Sequence, residues 1–485
     1  MTTLRTMVGS EYRYVYSVLA IVLVAHLLSF FYIAHLASLN PAADPYPIVK
    51  GDSHNYAAMA DALLAHGVFS LDPNLSPERH WPPGYAIFLA ETKAVSGGFT
   101  FAVILQTLAT LGAVVLIYAM ARRFLSPMFA SVPALLYGID PSVILADTTI
   151  ITDGLFSTLI IGAVYMVFFV EVRGREILRW IIVGGLLAVA TSMRSIAEFL
   201  IPLIPFIFIL RYGFMQEMSK YRRVFVPFFA YLFVVSLVLV PWVVRNYRNF
   251  GVFEIAHVGA SNILGYNARG FLAWREMNQE GRHVSAITAV RLISDPAYAV
   301  VDKKIAADLT SMTPVGADPD NYESALAEHL IFQHPIQYAY FHLVNTIPFF
   351  IGSSIAGYRQ MIEQERNNTG YFAPTSTALS NTLHQLFNSR DFFGSLPMLK
   401  NTVPILVEVL IWAVICVSTL AALFERKYRA SMLIFGILVI YFAILTGPVS
   451  IVRYRIPAEP YLLIMAVVGA RWGAVKVNML SRDKL

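Results

Sequence analysis

Asp52 is a carboxylate whose position in the sequence could serve acid–base chemistry beside a membrane. It follows the first long apolar run, Val15 to Leu36, and Tyr56 comes four residues later. Residues four apart lie on the same face of a helix, so Tyr56 is a candidate for the substrate site, as is His54, which lies between these two. A carboxylate in this position could take a proton from a hydroxyl group as a general base. It could equally be only the N-cap of the predicted helix.

A second motif, His80-Trp81-Pro82-Pro83-Gly84-Tyr85, precedes the next apolar segment. Its two prolines favour an extended entry into a helix over residues 84–95. We take His80 and Tyr85 as candidates for the same site as Asp52. The alternative is that Trp81 and Tyr85 anchor the helix at the membrane interface, where such side chains are common.

Arginines that border apolar runs form a third pattern. They are Arg194 between two runs, Arg245 at the end of another, and Arg453 and Arg455 just before the last. An arginine near hydrocarbon is costly and indicates a functional site, unless its side chain only extends back to the interface. Several arginines at one membrane surface beside an isolated aspartate would suit an anionic phosphate group.

Two further carboxylates, Asp147 and Asp153, flank a tight turn between apolar segments. Asp153 could cap the helix predicted over 154–170, or it could point at the same site as the arginines. Asp147 is a candidate for that site because it lies across the same turn.

Composition identifies the class of protein. Of the 485 residues, 57% are hydrophobic and 14% are charged, and the mean hydropathy is +0.61. Apolar runs of about twenty residues are long enough to cross a bilayer, so the sequence predicts a polytopic all-α membrane protein. The single cysteine, Cys416, excludes a disulfide framework and a cysteine-based metal site. The net charge of +5 is better explained by basic cytoplasmic loops than by a nucleic-acid surface.

The distribution of Lys and Arg predicts the topology. Short basic loops after residues 121, 170, 210 and 424 should face the cytoplasm, as should both termini, which gives about ten spans. The segment 179–212 lies between two such loops and must cross twice, so it should turn near Arg194. The apolar stretch 338–355 should remain on the outer side of the membrane, on its surface or re-entering it.

This topology divides the chain into three parts. Residues 1–243 form a transmembrane catalytic module with a first outer loop over 38–98. Residues 244–401 form a second outer, periplasmic segment with interfacial helices, and residues 402–485 form the C-terminal transmembrane helices.

Short motifs spread along the whole sequence resemble the GT-C superfamily of polytopic glycosyltransferases, of the protein O-mannosyltransferase and aminoarabinose-transferase type. These motifs are Asp52 with Tyr56, Pro82 to Tyr85, Thr152-Asp153-Gly154-Leu155-Phe156, Gly185 to Arg194, Pro241 to Asn246, and Arg453-Tyr454-Arg455-Ile456-Pro457. The sequence departs from the pattern at Asp52-Ser53, where members often carry two acidic residues. It also has Gly265-Tyr266-Asn267 where related bacterial chains tend to have Gly-Asn-Asn.

The resemblance implies an inverting transfer of a hexosyl or pentosyl group from a polyprenyl-monophosphate sugar. The acceptor would be a hydroxyl of a lipid, glycan or protein in the cell envelope. Asp52 would be the general base, and Arg194 and Arg453, with Arg245 third, would bind the donor phosphate. No cofactor is implied, and a divalent cation is not favoured because the Trp-Trp-Asp signature and tandem acidic pair of metal-dependent oligosaccharyltransferases are lacking.

The resemblance also implies a prokaryotic plasma membrane with the active site on its outer, periplasmic face. Two other functions remain open from the sequence: a transporter or flippase of lipid-linked sugars, and a diphosphate-lipid-dependent glycan polymerase or ligase. A transporter should carry ionisable residues on broken helices near mid-membrane, whereas the acidic residues here cluster in outer loops.

Overall fold

The computed structural model describes residues 2–38, 52–72, 74–170, 175–212, 222–290, 292–367, 396–449 and 451–482, and every regular element in these residues is a helix. The N-terminal part contains ten α-helices in chain order: α1 Thr2–Ser38, α2 Asp52–His66, α3 Gly84–Ser96, α4 Thr100–Ala121, α5 Pro127–Gly138, α6 Pro141–Thr148, α7 Asp153–Phe168, α8 Glu176–Met193, α9 Leu200–Tyr212 and α10 Arg222–Phe250. The all-α fold predicted from composition is confirmed.

The segment that the sequence predicts to be outer follows α10, and we keep the name outer segment for it; it consists of shorter helices. They are α11 Val258–Asn262, α12 Arg269–Gln279, α13 Ala286–Ala289, α14 Pro296–Met312, α15 Glu323–Phe332, α16 Pro335–Asn345, α17 Ile347–Ile351 and α18 Ser354–Asn367, with a π-helix at Ile263–Ala268. The C-terminal helices are α19 Leu396–Ala422, α20 Arg429–Thr446 and α21 Glu459–Arg482. A 3₁₀ turn, Val452–Arg455, lies between the last two.

Six helices of the described residues are long and apolar enough to cross a membrane. The candidate spans are Tyr12–Leu36, Thr100–Ala121, Glu176–Met193, Val226–Phe250, Val403–Ala422 and Arg429–Val449, the last of which extends α20 by a 3₁₀ turn. The pair α5 and α6 makes a seventh if it is one span bent by 54°, and α7 and Ser195–Leu210 are shorter apolar helices. The structure therefore confirms a multi-pass membrane protein, whereas the count of about ten spans remains a prediction.

The chain leaves helix α8 at Arg194, where the sequence predicts a turn. Arg194 has an extended backbone, with φ −147° and ψ 117°, and a short 3₁₀ turn follows at Ser195–Ala197. The stretch 338–355 is divided among α16, α17 and the start of α18. At 1.5 Å per residue α16 is only about 17 Å long, so it is too short to cross a hydrocarbon core of ~30 Å.

The outer segment has its own small core and is attached to the ends of the transmembrane helices. Leu272, Tyr298 and Leu326 are among the buried residues of that core. His342 on α16 is hydrogen-bonded to the carbonyl oxygen of Ile444 at 2.8 Å. A Cβ atom added at Gly447 would lie 2.3 Å from the His342 ring, so a glycine is needed at this approach.

We predict that cysteines placed in the outer segment react from outside the cell. In a Cys416→Ser background, Val315→Cys, at a fully exposed position, and Gly357→Cys on α18 should both react with a membrane-impermeant maleimide on intact cells. Lys427→Cys, between α19 and α20, should react only after permeabilisation, because it lies in a predicted cytoplasmic loop. Labelling of Lys427→Cys on intact cells, or of only one outer cysteine, would contradict the topology.

Candidate active site

Four chain segments that are far apart in sequence bring two carboxylates and two arginines together. Asp52 is the first residue of α2, Asp153 is the first residue of α7, Arg194 follows α8, and Arg453 lies in the turn before α21. We refer to these four residues as the acid–arginine centre.

Asp153 links the two arginines. One of its carboxylate oxygens accepts a short hydrogen bond from Arg194, and the other lies 3.6 Å from Nε of Arg453. Arg194 also donates to the Thr152 hydroxyl at 3.2 Å. The Asp153 side chain is 2% exposed, against 17% for Arg194 and 16% for Arg453. The N-cap of α7 is Thr152, so Asp153 does not cap this helix. Asp153 instead contacts the arginines, which is the second of the two roles that the sequence predicts for it.

Asp52 is the more accessible carboxylate of the centre. Its Oδ2 accepts a hydrogen bond of 2.8 Å from Nη2 of Arg453, and its side chain is 37% exposed. Burial raises the pKa of Asp52, but the charges of Arg453 and Arg194 outweigh this effect and hold that pKa below its usual value. Asp52 is therefore a carboxylate that is ionised at neutral pH and can be reached from solvent.

Three aromatic rings, those of the buried Tyr56 and Tyr85 and of the partly buried Trp81, fix helix α2 behind Asp52. The Tyr56 ring makes edge-to-face contacts with Trp81 at 5.2 Å and with Tyr85 at 5.0 Å between centroids. Tyr85 is fully buried and donates a 2.6 Å hydrogen bond to the Gln106 side chain. Tyr85 therefore does not act as an interface anchor, and the second motif serves to orient α2.

Gln106 links Tyr85 to the turn before Asp153 by hydrogen bonds. Its amide nitrogen donates to the carbonyl oxygens of Asp147 at 3.2 Å and Thr149 at 3.0 Å. A glutamine inside an apolar helix gives no sequence signal for this role, because its partners lie about forty residues away. Gly84 allows α3 to approach α8, since a Cβ there would lie 2.3 Å from the Ser192 hydroxyl oxygen.

The two histidines predicted near the site differ in their surroundings. His54 is exposed on α2. His80 is half-buried with its ring 5.1 Å from Trp81, and burial lowers the pKa of His80, opposed in part by Glu78. The His80 carbonyl accepts from the Val258 backbone N–H at 3.0 Å, which joins the first outer loop to the outer segment.

The structure does not bring Arg245 to the centre. Its guanidinium donates to the backbone carbonyls of Glu78 at 2.5 Å and Phe69 at 3.4 Å, and it lies 4.7 Å above the Trp242 ring. These contacts attach the first outer loop to the end of α10, so we remove Arg245 from the proposed phosphate ligands.

Arg455 also lies apart from the centre, although only one residue separates it from Arg453. It is fully buried, 3.4 Å from the Trp412 ring, with Glu459 at 3.6 Å and Asp140 at 4.0 Å. Its guanidinium donates to the Gly352 carbonyl at 3.1 Å. Arg455 therefore holds the turn Val452–Arg455 in place through buried contacts. We correct its assignment: it is a structural residue and not a candidate for the substrate site.

Asp147 is paired with a residue outside the centre. It is fully buried with one carboxylate oxygen 3.0 Å from Nε2 of His26 on α1. Its other oxygen lies over Gly154, where an added Cβ would be 1.9 Å away. The expectation that Asp147 shares the site of Asp153 is therefore not met, because the pair with His26 holds its carboxylate among the helices.

Two residues that were not candidates from the sequence lie beside the centre. Tyr454 has a ring within 5.3 Å of both guanidiniums of the centre. Tyr266, in the π-helix of the outer segment, is 56% exposed. Burial raises the pKa of Tyr266, and the nearby Tyr454 and Asp52 raise it further. Tyr266 is the middle residue of Gly265-Tyr266-Asn267, where the sequence departs from the Gly-Asn-Asn of related chains. This departure was the only feature of the sequence that drew attention to Tyr266.

The described residues contain no group of three or more His, Cys, Asp or Glu side chains placed to hold a metal ion. The acid–arginine centre contains two carboxylates by definition, and each is engaged by an arginine. Whether the chain needs a divalent cation remains a prediction from the sequence.

The fold and the centre together define a polytopic α-helical membrane protein with an acid–arginine site. A family model described as dolichyl-phosphate-mannose-protein mannosyltransferase matches residues 80–244, about a third of the chain. That range contains Asp153 and Arg194, whereas Asp52 and Arg453 lie outside it. The match agrees with the resemblance to the GT-C superfamily of membrane glycosyltransferases that the sequence motifs indicate.

Solved structures similar to this chain include two proteins at 13% sequence identity. One is ArnT from Cupriavidus metallidurans bound to undecaprenyl phosphate, at 13% identity and a TM-score of 0.38, covering 93% of this chain and 76% of that one. The other is the archaeal oligosaccharyltransferase AglB from Archaeoglobus fulgidus in complex with an inhibitory peptide and a dolichol-phosphate. It has 13% identity and a TM-score of 0.46, covering 97% of this chain and 52% of that one. No curated protein matches the sequence.

We predict that Asp153→Asn destabilises the protein much more than a comparable surface substitution. It leaves two partly buried arginines without their shared counter-charge, which should cost about 3–5 kcal/mol. The control is Asp302→Asn, which removes an exposed partner of Arg269 and should cost about 0–1 kcal/mol. Thermal unfolding of the purified variants in detergent measures the difference. Equal melting temperatures would show that Asp153 does not hold the centre together.

Proposed function

We propose that this protein is an inverting glycosyltransferase that moves a sugar from a polyprenyl-monophosphate donor to an acceptor hydroxyl. The observation that carries the proposal is the acid–arginine centre. In this centre the accessible carboxylate of Asp52 lies beside two arginines, which the buried carboxylate of Asp153 joins. The family match supports the donor class, since dolichyl phosphate mannose is a polyprenyl-monophosphate sugar. The predicted topology puts the centre on the outer face of the plasma membrane.

In this proposal Arg194 and Arg453 bind the donor phosphate. A guanidinium matches a phosphate in shape and remains charged at all relevant pH values. The leaving polyprenyl phosphate gains negative charge as its bond to the sugar breaks, and arginines fixed in advance stabilise that charge. Removing one such preorganised donor typically costs about 2.7–4 kcal/mol. The positive charge comes from side chains, so a divalent cation would be an addition to this arrangement.

Asp52 acts as the general base. The acceptor hydroxyl gives its proton to the Asp52 carboxylate while its oxygen attacks the anomeric carbon from the side opposite the phosphate. The bond from that carbon to the phosphate oxygen breaks, and its electron pair leaves with the polyprenyl phosphate. The configuration at the anomeric carbon is therefore inverted.

The pairing of Asp52 with Arg453 couples donor binding to this step. In the free protein Arg453 holds the pKa of Asp52 down, which makes Asp52 a weak base. A donor phosphate competes for the same guanidinium and neutralises part of its charge. The proton affinity of Asp52 then rises when the donor is in place, so the base is strengthened when it is needed.

We predict that Asp52→Asn abolishes sugar transfer while the protein remains folded. The amide retains the shape of the side chain and loses the base, which should lower the rate about 10²–10⁴-fold. The assay uses the purified protein, radiolabelled polyprenyl-monophosphate sugars and an envelope extract as the source of acceptors. The matched control is Asp61→Asn, on the same helix and paired with Lys93, which should leave the rate unchanged.

Activity of Asp52→Asn above a tenth of wild type would contradict the base assignment. Label that crosses a vesicle membrane without being transferred would indicate a transporter in place of a transferase.

We also predict that Arg453→Ala and Arg194→Ala weaken the binding of undecaprenyl monophosphate without any acceptor present. Each change removes a charged hydrogen-bond donor, worth about 1.5–3 kcal/mol, so affinity should fall roughly ten- to a hundredfold. Arg453→Lys should lose less, because it keeps the charge without the planar fork. Arg269→Ala, in the outer segment, is the control. Wild-type affinity in both alanine variants would show that these arginines do not bind the phosphate.

A further inference from the structure

The Tyr454 ring lies close to both arginines of the acid–arginine centre. The Cζ atom of Arg194 is 5.1 Å from the ring centroid and that of Arg453 is 5.3 Å away. Both distances are within the ~6 Å at which a guanidinium is attracted to the electron-rich face of an aromatic ring. The two arginines reach this ring from different parts of the chain, Arg194 from the end of α8 and Arg453 from the turn that contains Tyr454 itself.

Hydrogen bonds and buried side chains hold the turn that carries Tyr454 in place. The Tyr454 backbone N–H donates to the Ile451 carbonyl at 3.0 Å, and Val452 is buried. Arg455, fully buried, ties the turn to the Gly352 carbonyl and to the Ser354 hydroxyl, each at 3.1 Å. The ring is therefore presented from a fixed backbone, and the guanidiniums must adapt to it.

A second carboxylate system strengthens this anchor. Glu408 on α19 accepts from the backbone N–H groups of Ser354 at 2.7 Å and Ile355 at 3.0 Å, and from the Ser353 hydroxyl. The Ser354 hydroxyl in turn donates to Asp140 at 2.9 Å. The segment that Arg455 binds is thus itself bound to α19 and to the N-terminus of α6, so the position of the Tyr454 ring depends on these two helices.

Two guanidiniums that converge on one phosphate repel each other before the phosphate arrives. Asp153 offsets part of that repulsion with its charge, and the Tyr454 ring can offset more through its π face without adding an anion that would compete with the phosphate. Arg194 has a second ring contact, with Phe156 at 5.7 Å, on a neighbouring helix.

We infer that Tyr454 is a positioning residue for the donor phosphate, acting through cation–π contacts that hold Arg194 and Arg453 at a spacing suited to one phosphate group. This inference rests on the proposed function and adds to it a residue that acts through the two arginines. The ring matters in this role and the hydroxyl does not.

The test measures binding of undecaprenyl monophosphate to the full-length protein in nanodiscs, without sugar or acceptor. Tyr454→Phe should bind within about twofold of wild type, and Tyr454→Leu about five- to thirtyfold more weakly, since it loses two cation–π contacts. Tyr340→Leu is the matched control, because Tyr340 is 57% exposed on α16, and it should bind like wild type. Binding by Tyr454→Leu as tight as by Tyr454→Phe would overturn the inference.

A fluorinated series separates electrostatics from packing and does not depend on whether the leucine variant folds. Phenylalanines with one, two and three ring fluorines at position 454 keep nearly the same shape, while each fluorine weakens the π face. Affinity for undecaprenyl monophosphate should fall stepwise along the series. Equal affinity throughout would overturn the inference about Tyr454 and leave the proposed function standing. Wild-type binding no tighter than that of uncharged undecaprenol would overturn the proposed function, and this inference with it.

Discussion

The buried carboxylate of Asp153 is the interaction on which the rest of this structure depends. A charge that is 2% exposed inside a membrane protein is stable only if it is paired, and here Arg194 and Arg453, from different parts of the chain, pair with it. This pairing joins the first residue of α7, the end of α8 and the turn before α21. It also leaves both arginines partly exposed, so they can still bind an anion.

Separate polar networks hold the parts around this centre, and each has a distinct task. The rings of Tyr56, Trp81 and Tyr85, extended by Gln106, orient the helix that carries Asp52. On the outside, Arg79 ties the first outer loop to the outer segment through Asn321 at 2.5 Å and Asp318 at 2.9 Å. Arg245 ties the same loop to α10. The base and the phosphate ligands therefore lie on different parts of the chain, which Gln106 connects and which meet directly at Arg453.

Much of the fold could be predicted from the sequence because membranes impose simple rules. Apolar length and the placement of basic loops predicted the helical class and the turn at Arg194, and the cost of burying charge drew attention to Arg194 and Arg453. What failed depended on tertiary neighbours. The neighbouring sequence does not distinguish Arg453 from Arg455. Arg453 nevertheless pairs with Asp52 in the centre, whereas Arg455 is buried against the Trp412 ring. Asp147 pairs with His26, 121 positions away, and Tyr454 and Gln106 matter only through such partners.

The central claim is that the acid–arginine centre receives the donor phosphate, and the most direct measurement is an experimental structure of this protein with bound undecaprenyl monophosphate. The account predicts a phosphate within hydrogen-bond distance of both Arg194 and Arg453, and an Asp52 carboxylate at least partly released from Arg453. It also predicts that the contact between Asp153 and Arg194 persists. A phosphate bound elsewhere, with the Asp52–Arg453 and Asp153–Arg194 pairs unchanged, would contradict the account.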